Sequence, residues 1–263
     1  MPSADRPVVL TIAGSDSGAG AGIQADLLTF AAHEVFGTTA VTCLTAQNPD
    51  GVTAIEALPA AFVAEEIAQI DRYYTVRALK TGMLYSAAII GVVADFLRTH
   101  RQIPAVIDPV MVATSGAVLL RPEALAAVRD QLLPLATLVT PNLDEVGVLL
   151  GEKPTTAAEM SCAGSKLTRR YGVPFLVKGG HLPGGDLTDV LVTPDGEIRT
   201  YASNRLDGVD THGSGCTLSA AIAANLALGL DLNRAVAAAR TYLRRGLEQS
   251  LTVGGRHFIN HRP

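Results

Sequence analysis

No run of lysine or arginine occurs in the 263 residues, and 25 acidic and 21 basic side chains are mixed along the chain for a formal net charge of −4. That leaves no electrostatic footprint for nucleic acid or an anionic membrane surface. Small anionic ligands stay open, because local backbone donors bind them whatever the net charge. Cysteine is scarce: Cys43, Cys162 and Cys216 are odd in number, lack metal-type spacing and build no disulfide framework, which fits a reducing cytoplasm. No apolar stretch reaches ~18 residues and no charged n-region with an apolar h-region opens the chain, so neither membrane spanning nor secretion is expected. A linker, an internal repeat and a low-complexity tract are also missing. A single domain over residues 1–263 is the expectation, with residues 1–6 as a frayed tail.

What the chain does have is a succession of Val/Ile/Leu-rich runs, each followed by a longer amphipathic segment. The runs at Val8–Ala13, Thr38–Leu44, Val76–Lys80, Pro104–Asp108, Leu138–Thr140 and Val173–Val177 are apolar enough for strands buried on both faces of a parallel sheet. Ala60–Tyr73, Ala87–Thr99, Pro122–Leu133, Ala157–Tyr171 and Asn233–Glu248 carry helical periodicity. Asp189–Val192 and Ile198–Tyr201, joined through Asp195-Gly196, predict an antiparallel hairpin. The pattern predicts a three-layer α/β/α sandwich, its central sheet mostly parallel with an antiparallel hairpin near one end.

The segment Asp210-Thr211-His212-Gly213-Ser214-Gly215-Cys216 runs straight into the Ala-rich helix Thr217–Leu228. Two glycines let the backbone turn tightly, so N–H groups at a helix N-terminus converge on one anion. Cys216 opens that helix where a thiolate is expected to be stabilised, which makes the segment a phosphoryl-transfer site. A Gly-rich loop entering a buried helix has the same sequence. No G-x-x-x-x-G-K-[ST] is present, and Gly14 to Gly22 does not match G-x-G-x-x-G, with Asp26 too close to be a ribose-binding acid.

Ligands in such sheets gather where strands end. Gln47, in Thr45-Ala46-Gln47-Asn48-Pro49 after the second strand, can donate and accept at once, as an aminated heteroaromatic ring requires; a loop-stabilising amide is the plainer reading. Met83 can cover a flat ring or sit in the core. Asp108 stands at a strand end, and Asp144 and Glu145 at a helix start, where they cap the helix or, facing a phosphate cradle from two strands, hold Mg²⁺. Lys178, in Val177-Lys178-Gly179-Gly180-His181, suits a nucleotide polyphosphate or plain solvent.

The ordered set Ala13-Gly14-Ser15-Asp16, Gly20 to Asp26, Thr45 to Asn48, Lys80 to Leu84, Asp108 to Met111, Thr140-Pro141-Asn142, Lys178 to His181 and Thr211 to Cys216 resembles the bacterial hydroxymethylpyrimidine/phosphomethylpyrimidine kinases of thiamine biosynthesis, within the ribokinase-like superfamily. The resemblance covers nearly the whole chain and implies the ribokinase-like three-layer fold. It also implies ATP-dependent phosphorylation of 4-amino-5-hydroxymethyl-2-methylpyrimidine, then of its monophosphate. By position it implies Gln47 as the pyrimidine reader, Gly14, Met83 and Val110 around the ring with Asp26 near it, and Cys216 as catalytic base above a cradle of Gly213, Ser214 and Gly215. Lys178, Asn142 and Thr211 fall to the nucleotide, with Asp108 and Glu145 organising Mg²⁺ and its waters. The family is typically homodimeric. Ser214 stands where the family usually has Thr, and Pro49 where another residue is commoner.

Three alternatives remain at this stage. A pyridoxal kinase of the same superfamily shares almost every feature, with Gln47 as the discriminator. An NAD-dependent oxidoreductase lacks its glycine fingerprint. A non-catalytic sensing module has no need of Cys216 and the acids together.

Overall fold

The computed structural model describes residues 5–111, 122–180, 182, 186–206 and 208–263. In chain order the elements are β1 (Val8–Asp16), α1 (Gly22–Ala32), β2 (Phe36–Asn48), β3 (Gly51–Ala57), α2 (Ala60–Tyr73), β4 (Val76–Thr81), α3 (Ala87–Thr99), β5 (Ala105–Ile107) and α4 (Pro122–Ala127). After α4 come a π turn (Val128–Leu132), a 3-10 turn (Leu133–Leu135), β6 (Leu138–Val139), α5 (Leu143–Leu150), α6 (Ala157–Tyr171), β7 (Phe175–Lys178), β8 (Asp186–Val192) and β9 (Ile198–Asn204). The chain closes with α7 (Ser214–Ala227), α8 (Leu232–Glu248), β10 (Leu251–Val253) and β11 (Arg256–Phe258).

Among the described residues one sheet runs β3-β2-β1-β4-β5-β6-β7-β8-β9. Its six central strands are mutually parallel, and β3, β8 and β9 are added antiparallel. The apolar runs behave as strands covered on both faces because successive side chains enter opposite layers. Leu10 and Ile12 of β1, Leu79 of β4, Ile107 of β5 and Phe175 of β7 pack with α2, α3, α5 and α6. Val9, Ala78, Val106 and Leu176, from the same strands, pack with α1, α7 and α8. This is the α/β/α sandwich that the sequence predicts.

Two differences bear on the site. The sheet carries antiparallel strands at both ends, not one: β2 extends past Leu44 to Asn48 and turns back as β3. Gln47 therefore sits on a strand, paired with Val52, instead of on a loop. A second small hairpin, β10 with β11, turns at Gly254-Gly255. The helix expected over Pro122–Leu133 keeps its start but loosens into the π turn before Pro134, whose ring and missing N–H prevent an α-helical continuation.

The parallel order reverses direction between β1 and β4, because the chain fills β2 on one side of β1 and then crosses to β4 on the other. Loops diverge outside the carboxyl ends of such strands and leave a crevice. A cleft of about 1090 Å³ opens there.

Candidate active site

The loop after β1 is folded by an acid. The Asp16 carboxylate accepts the N–H groups of Gly18 at 2.8 Å and Ala21 at 2.9 Å, while Gln24 Oε1 accepts the Asp16 N–H at 2.9 Å. Burial pushes the Asp16 carboxyl up, but His212 and these two N–H groups outweigh it and hold the group below its usual range. The loop leans on the start of α7. Gly213, the N-cap, has φ +79°, and a Cβ there would strike the Gly20 carbonyl oxygen, so glycine is required twice over.

The cradle is narrower than the sequence suggests. The Ser214 N–H is spent on Thr211 O at 3.1 Å, whereas the N–H groups of Gly215 and Cys216 have no partner among the described residues. Gly215 also lets the helix approach charge: a Cβ on it would lie 3.2 Å from Lys178 Nζ and 3.6 Å from Asp108 Oδ2.

Around that cradle the structure gathers residues from the ends of three strands, β5, β6 and β7. Asp108, 2% exposed, accepts Lys178 Nζ at 2.8 Å, Thr140 Oγ1 at 3.3 Å and Ser219 Oγ at 3.3 Å. Burial pulls the Lys178 ammonium down, but Asp108 and Glu145 outweigh it and raise it. Lys178 is thus a paired, nearly enclosed cation, not a solvated one. Glu145, also 2% exposed, forms a capping box with Asn142: its Oε2 accepts the Asn142 N–H at 2.7 Å, and Asn142 Oδ1 accepts the Glu145 N–H at 2.9 Å. Burial, reinforced by Asp108 and opposed by Lys178, pushes the Glu145 carboxyl up to about 8. Asp144 points outward to Lys153 at 2.6 Å. Among the described residues no three His, Cys, Asp or Glu side chains converge as a metal cage.

Two sequence expectations need correction here. Asp26, expected beside the ring, is fully buried beneath the cleft, where it accepts Lys80 Nζ at 2.9 Å on both oxygens and Thr11 Oγ1 at 2.6 Å. It is Lys80 that lines the cleft. Nor is a Cys216 thiolate stabilised at rest: burial pushes the thiol above its usual 9.0, Asp26 and Asp108 add to this, and Lys80 and the Gly22 backbone only partly oppose it.

Gly14, Gln47, Met83 and Val110 line the cleft as well, and a Cβ on Gly14 would lie 2.8 Å from Cys43 Sγ, so the glycine lets β1 pack closely on the buried Cys43. Gln47 Oε1 accepts Thr45 Oγ1 at 3.3 Å, and its Nε2 lies 3.4 Å from His212 Nε2, which is itself 3.4 Å from Asp16 Oδ2. Thr211, Lys178 and Asn142 line the same cleft, as do Asp189, Tyr201 and Arg240. Arg240 Nε donates to Asp189 at 2.7 Å and its guanidinium lies over the Tyr201 ring. Sequence reasoning assigned no role to Lys80, His212 or Arg240. Lys80 and His212 are legible only as the charged members of the quoted stretches, and Arg240 carries no local signal on an exposed helical pattern. His181 lies outside the described residues.

Residues 16–261 match the family model for phosphomethylpyrimidine kinase. The chain is 46% identical over 258 residues to the hydroxymethylpyrimidine/phosphomethylpyrimidine kinase of Rhizobium meliloti (strain 1021), an alignment covering 97% of this chain and 96% of that one. Among solved structures it resembles an ADP complex of Bacillus subtilis pyridoxal kinase, with TM-score 0.90, 35% identity and 97% of each chain covered. It also resembles the phosphomethylpyrimidine kinase of Clostridium difficile 630, with TM-score 0.81, 37% identity, and 91% of this chain and 99% of that one covered. With a match over nearly its whole length, this chain belongs to the phosphomethylpyrimidine kinase family of ribokinase-like fold.

Proposed function

We propose that the chain, as one kinase domain, moves the γ-phosphoryl group of ATP to the hydroxymethyl oxygen of 4-amino-5-hydroxymethyl-2-methylpyrimidine, then phosphorylates the monophosphate to the diphosphate for thiamine biosynthesis. The observation that carries this reading is that one cleft is lined both by the start of α7 with Lys178, where the Gly215 and Cys216 N–H groups have no partner among the described residues, and by Gln47, Met83 and Val110.

Phosphoryl transfer asks mainly for positioning and charge neutralisation. Gln47 offers both a donor and an acceptor to the aminopyrimidine edge, Met83 covers the ring, and the hydroxymethyl oxygen is left beside Cys216. The unpaired N–H groups of the α7 N-terminus face the equatorial phosphoryl oxygens, where preformed donors stabilise developing charge without reorganisation. Lys178 offsets the nucleotide's charge, with Asn142 and Thr211 beside it. Cys216 Sγ takes the hydroxyl proton as the O–P bond forms. Because its proton is held tightly at rest, the first phosphorylation should quicken as pH rises toward the thiol's range. The second step attacks with an oxygen that is already anionic and needs the thiol less.

The donor set suits Mg²⁺: two buried carboxylates, Asp108 and Glu145, with the Asn142 amide, are hard oxygen ligands for an ion that keeps several waters. Bound there, the metal supplies neutralisation of phosphate charge. Glu145 must give up its proton and Asp108 must share Lys178 for the ion to be held, so metal binding is coupled to proton release.

The pyridoxal-kinase reading has the Bacillus subtilis likeness in its favour. Gln47 weighs against it, since a paired donor and acceptor fits an aminopyrimidine better than a pyridine aldehyde. ATP consumption with the pyrimidine alcohol, against pyridoxal at matched concentration, tests the choice; faster turnover of pyridoxal would reverse it. A homodimer is supported by the exposed Phe36, Leu44, Val52 and Phe62 on or near the β2–β3 edge, and is tested by solution mass. No described helix is long and apolar enough to cross a membrane, and a cytoplasmic location is in keeping with three free cysteines.

A further inference from the structure

Gln47 is fixed at its backbone before its side chain is considered. Ser17 Oγ accepts the Gln47 N–H at 2.8 Å and donates to the Gln47 carbonyl at 2.7 Å, which clamps β2 to the loop after β1. What stays open is the amide, whose donor and acceptor ends exchange places on half a turn. A side chain that reads a ring through a paired donor and acceptor needs those ends told apart.

His212 is placed to do this. Its Nε2 lies 3.4 Å from the Gln47 amide and 3.4 Å from Asp16 Oδ2. The Asp16 carboxyl, held below its usual range, is an acceptor only, so Nε2 carries the hydrogen and faces Gln47 as a donor. On the other side of the amide Thr45 Oγ1 has a single hydrogen, and Ser15 O takes it at 2.9 Å, closer than the 3.3 Å to Gln47 Oε1. Thr45 therefore offers Gln47 an acceptor. Both neighbours are matched in one arrangement, Oε1 toward His212 and Nε2 toward Thr45, half a turn from the one that sets Nε2 against Nε2. The amide then keeps a lone pair for a ring amino group and an N–H for a ring nitrogen.

The imidazole has a built seat. A Cβ on Gly20 would lie 2.6 Å from His212 Cδ2 and 3.2 Å from Nε2, so the glycine makes room for the ring, and Asp210 Oδ1 accepts the His212 N–H at 2.8 Å. The next residue, Gly213, is the N-cap of α7. One side chain thus joins the turn that starts the phosphate cradle to the amide on β2.

We propose that His212 is a positioning residue for substrate choice: donating from Nε2 to the Asp16 carboxylate and Gln47 Oε1 together, it sets which end of the Gln47 amide meets the pyrimidine's amino group and which its ring nitrogen. It acts through Gln47 and takes no proton in the reaction. This rests on Gln47 being the ring reader, and the test separates the two claims.

The test is a double-mutant cycle on the pyrimidine alcohol in the full chain, with Gln47→Met, His212→Leu and the two combined. His212→Leu should raise KM for the pyrimidine about 2- to 12-fold, the worth of one hydrogen bond, and leave KM for ATP unchanged. In the Gln47→Met background the same change should add less than about twofold. His212→Gln, which keeps an N–H at similar reach, should restore most of the loss. Equal losses in both backgrounds, no loss in either, or a KM for ATP that rises as much as that for the pyrimidine would overturn the proposal while Gln47 keeps its role. A Gln47→Met chain that uses the pyrimidine as well as wild type would overturn the ring reading, and this inference with it. Should His212→Leu fail to fold, the nitrogen NMR signals of the wild-type imidazole decide: a hydrogen on His212 Nε2 is expected, and a bare Nε2 contradicts the network.

Discussion

Replacing Glu145 by Gln should make the protein more stable at pH 8 and no more stable at pH 5. The side chain is 2% exposed and its carboxyl is pushed from 4.5 up to about 8 by burial and by Asp108. A group whose folded pKa is raised contributes stability below its unfolded pKa and loses it as pH rises through the folded value. Between pH 4.5 and about 8 the unfolded chain sheds this proton while the folded chain keeps it, so stability falls by up to ~1.4 kcal/mol per pH unit. Summed across that window the loss is about 3–5 kcal/mol. Gln retains an oxygen for the Asn142 N–H, so the capping box survives without the titration. Thermal unfolding without nucleotide or metal, from pH 5 to 8.5, should show wild type and Glu145→Gln converging at the acid end. At the alkaline end they should be separated by roughly 10 °C, at about 2–4 °C per kcal/mol for a chain of this size. Added Mg²⁺ with ADP should raise the wild-type Tm more than the variant's, since the variant has lost a carboxylate ligand. A variant uniformly less stable at every pH would refute the reasoning, because Glu145 would then act only as an ionised cap.

Gln47→Met should lower kcat/KM for the pyrimidine about 5- to 150-fold, the effect of leaving a buried ring amine and nitrogen unpaired at ~1–3 kcal/mol; unchanged kcat/KM would remove Gln47 from the ring. Cys216→Ala should cut kcat of the first phosphorylation by ~10²–10⁴ with little change in KM and spare the second, whereas equal modest losses in both steps would leave the thiol a packing role. Gly213→Ala, at φ +79° and against the Gly20 carbonyl, should abolish both phosphorylations while the sheet's circular dichroism stays close to wild type, local strain of ~1–3 kcal/mol being concentrated at the cradle. Wild-type kinetics in that variant would mean the loop does not need its present shape.

The helices Ala60–Tyr73, Ala87–Thr99 and Ala157–Tyr171 were legible to the residue, because a helical apolar stripe in each follows a Pro, Ser or Thr at the cap position. The β2–β3 hairpin was not: beyond Leu44 the strand alternates half-buried and exposed positions, Thr45, Ala46, Gln47 and Asn48, with no large apolar residue, which read as a loop until the partner strand is seen. Strands β10 and β11 are three residues each, exposed but for the half-buried Phe258, and marked only by Gly254-Gly255. In the cleft, the strand-end positions of Asp108, Asn142 and Lys178 followed from the parallel sheet, whereas Gln47, expected on a loop, lies on β2. What sequence could not show was depth. Asp26 was misjudged because the cost of burying a charge depends on the layers above it, and Cys216 because the acids that the fold brings to its thiol, Asp26 and Asp108, lie far from it in sequence.

The account's central claim is most directly tested by incubating the purified chain with ATP, Mg²⁺ and 4-amino-5-hydroxymethyl-2-methylpyrimidine and following the products by mass spectrometry. The monophosphate should appear first and then the diphosphate, with ADP formed in step at one and then two equivalents, and with the pyrimidine used faster than pyridoxal. No pyrimidine-dependent ADP, or arrest at a product of pyridoxal alone, would contradict it.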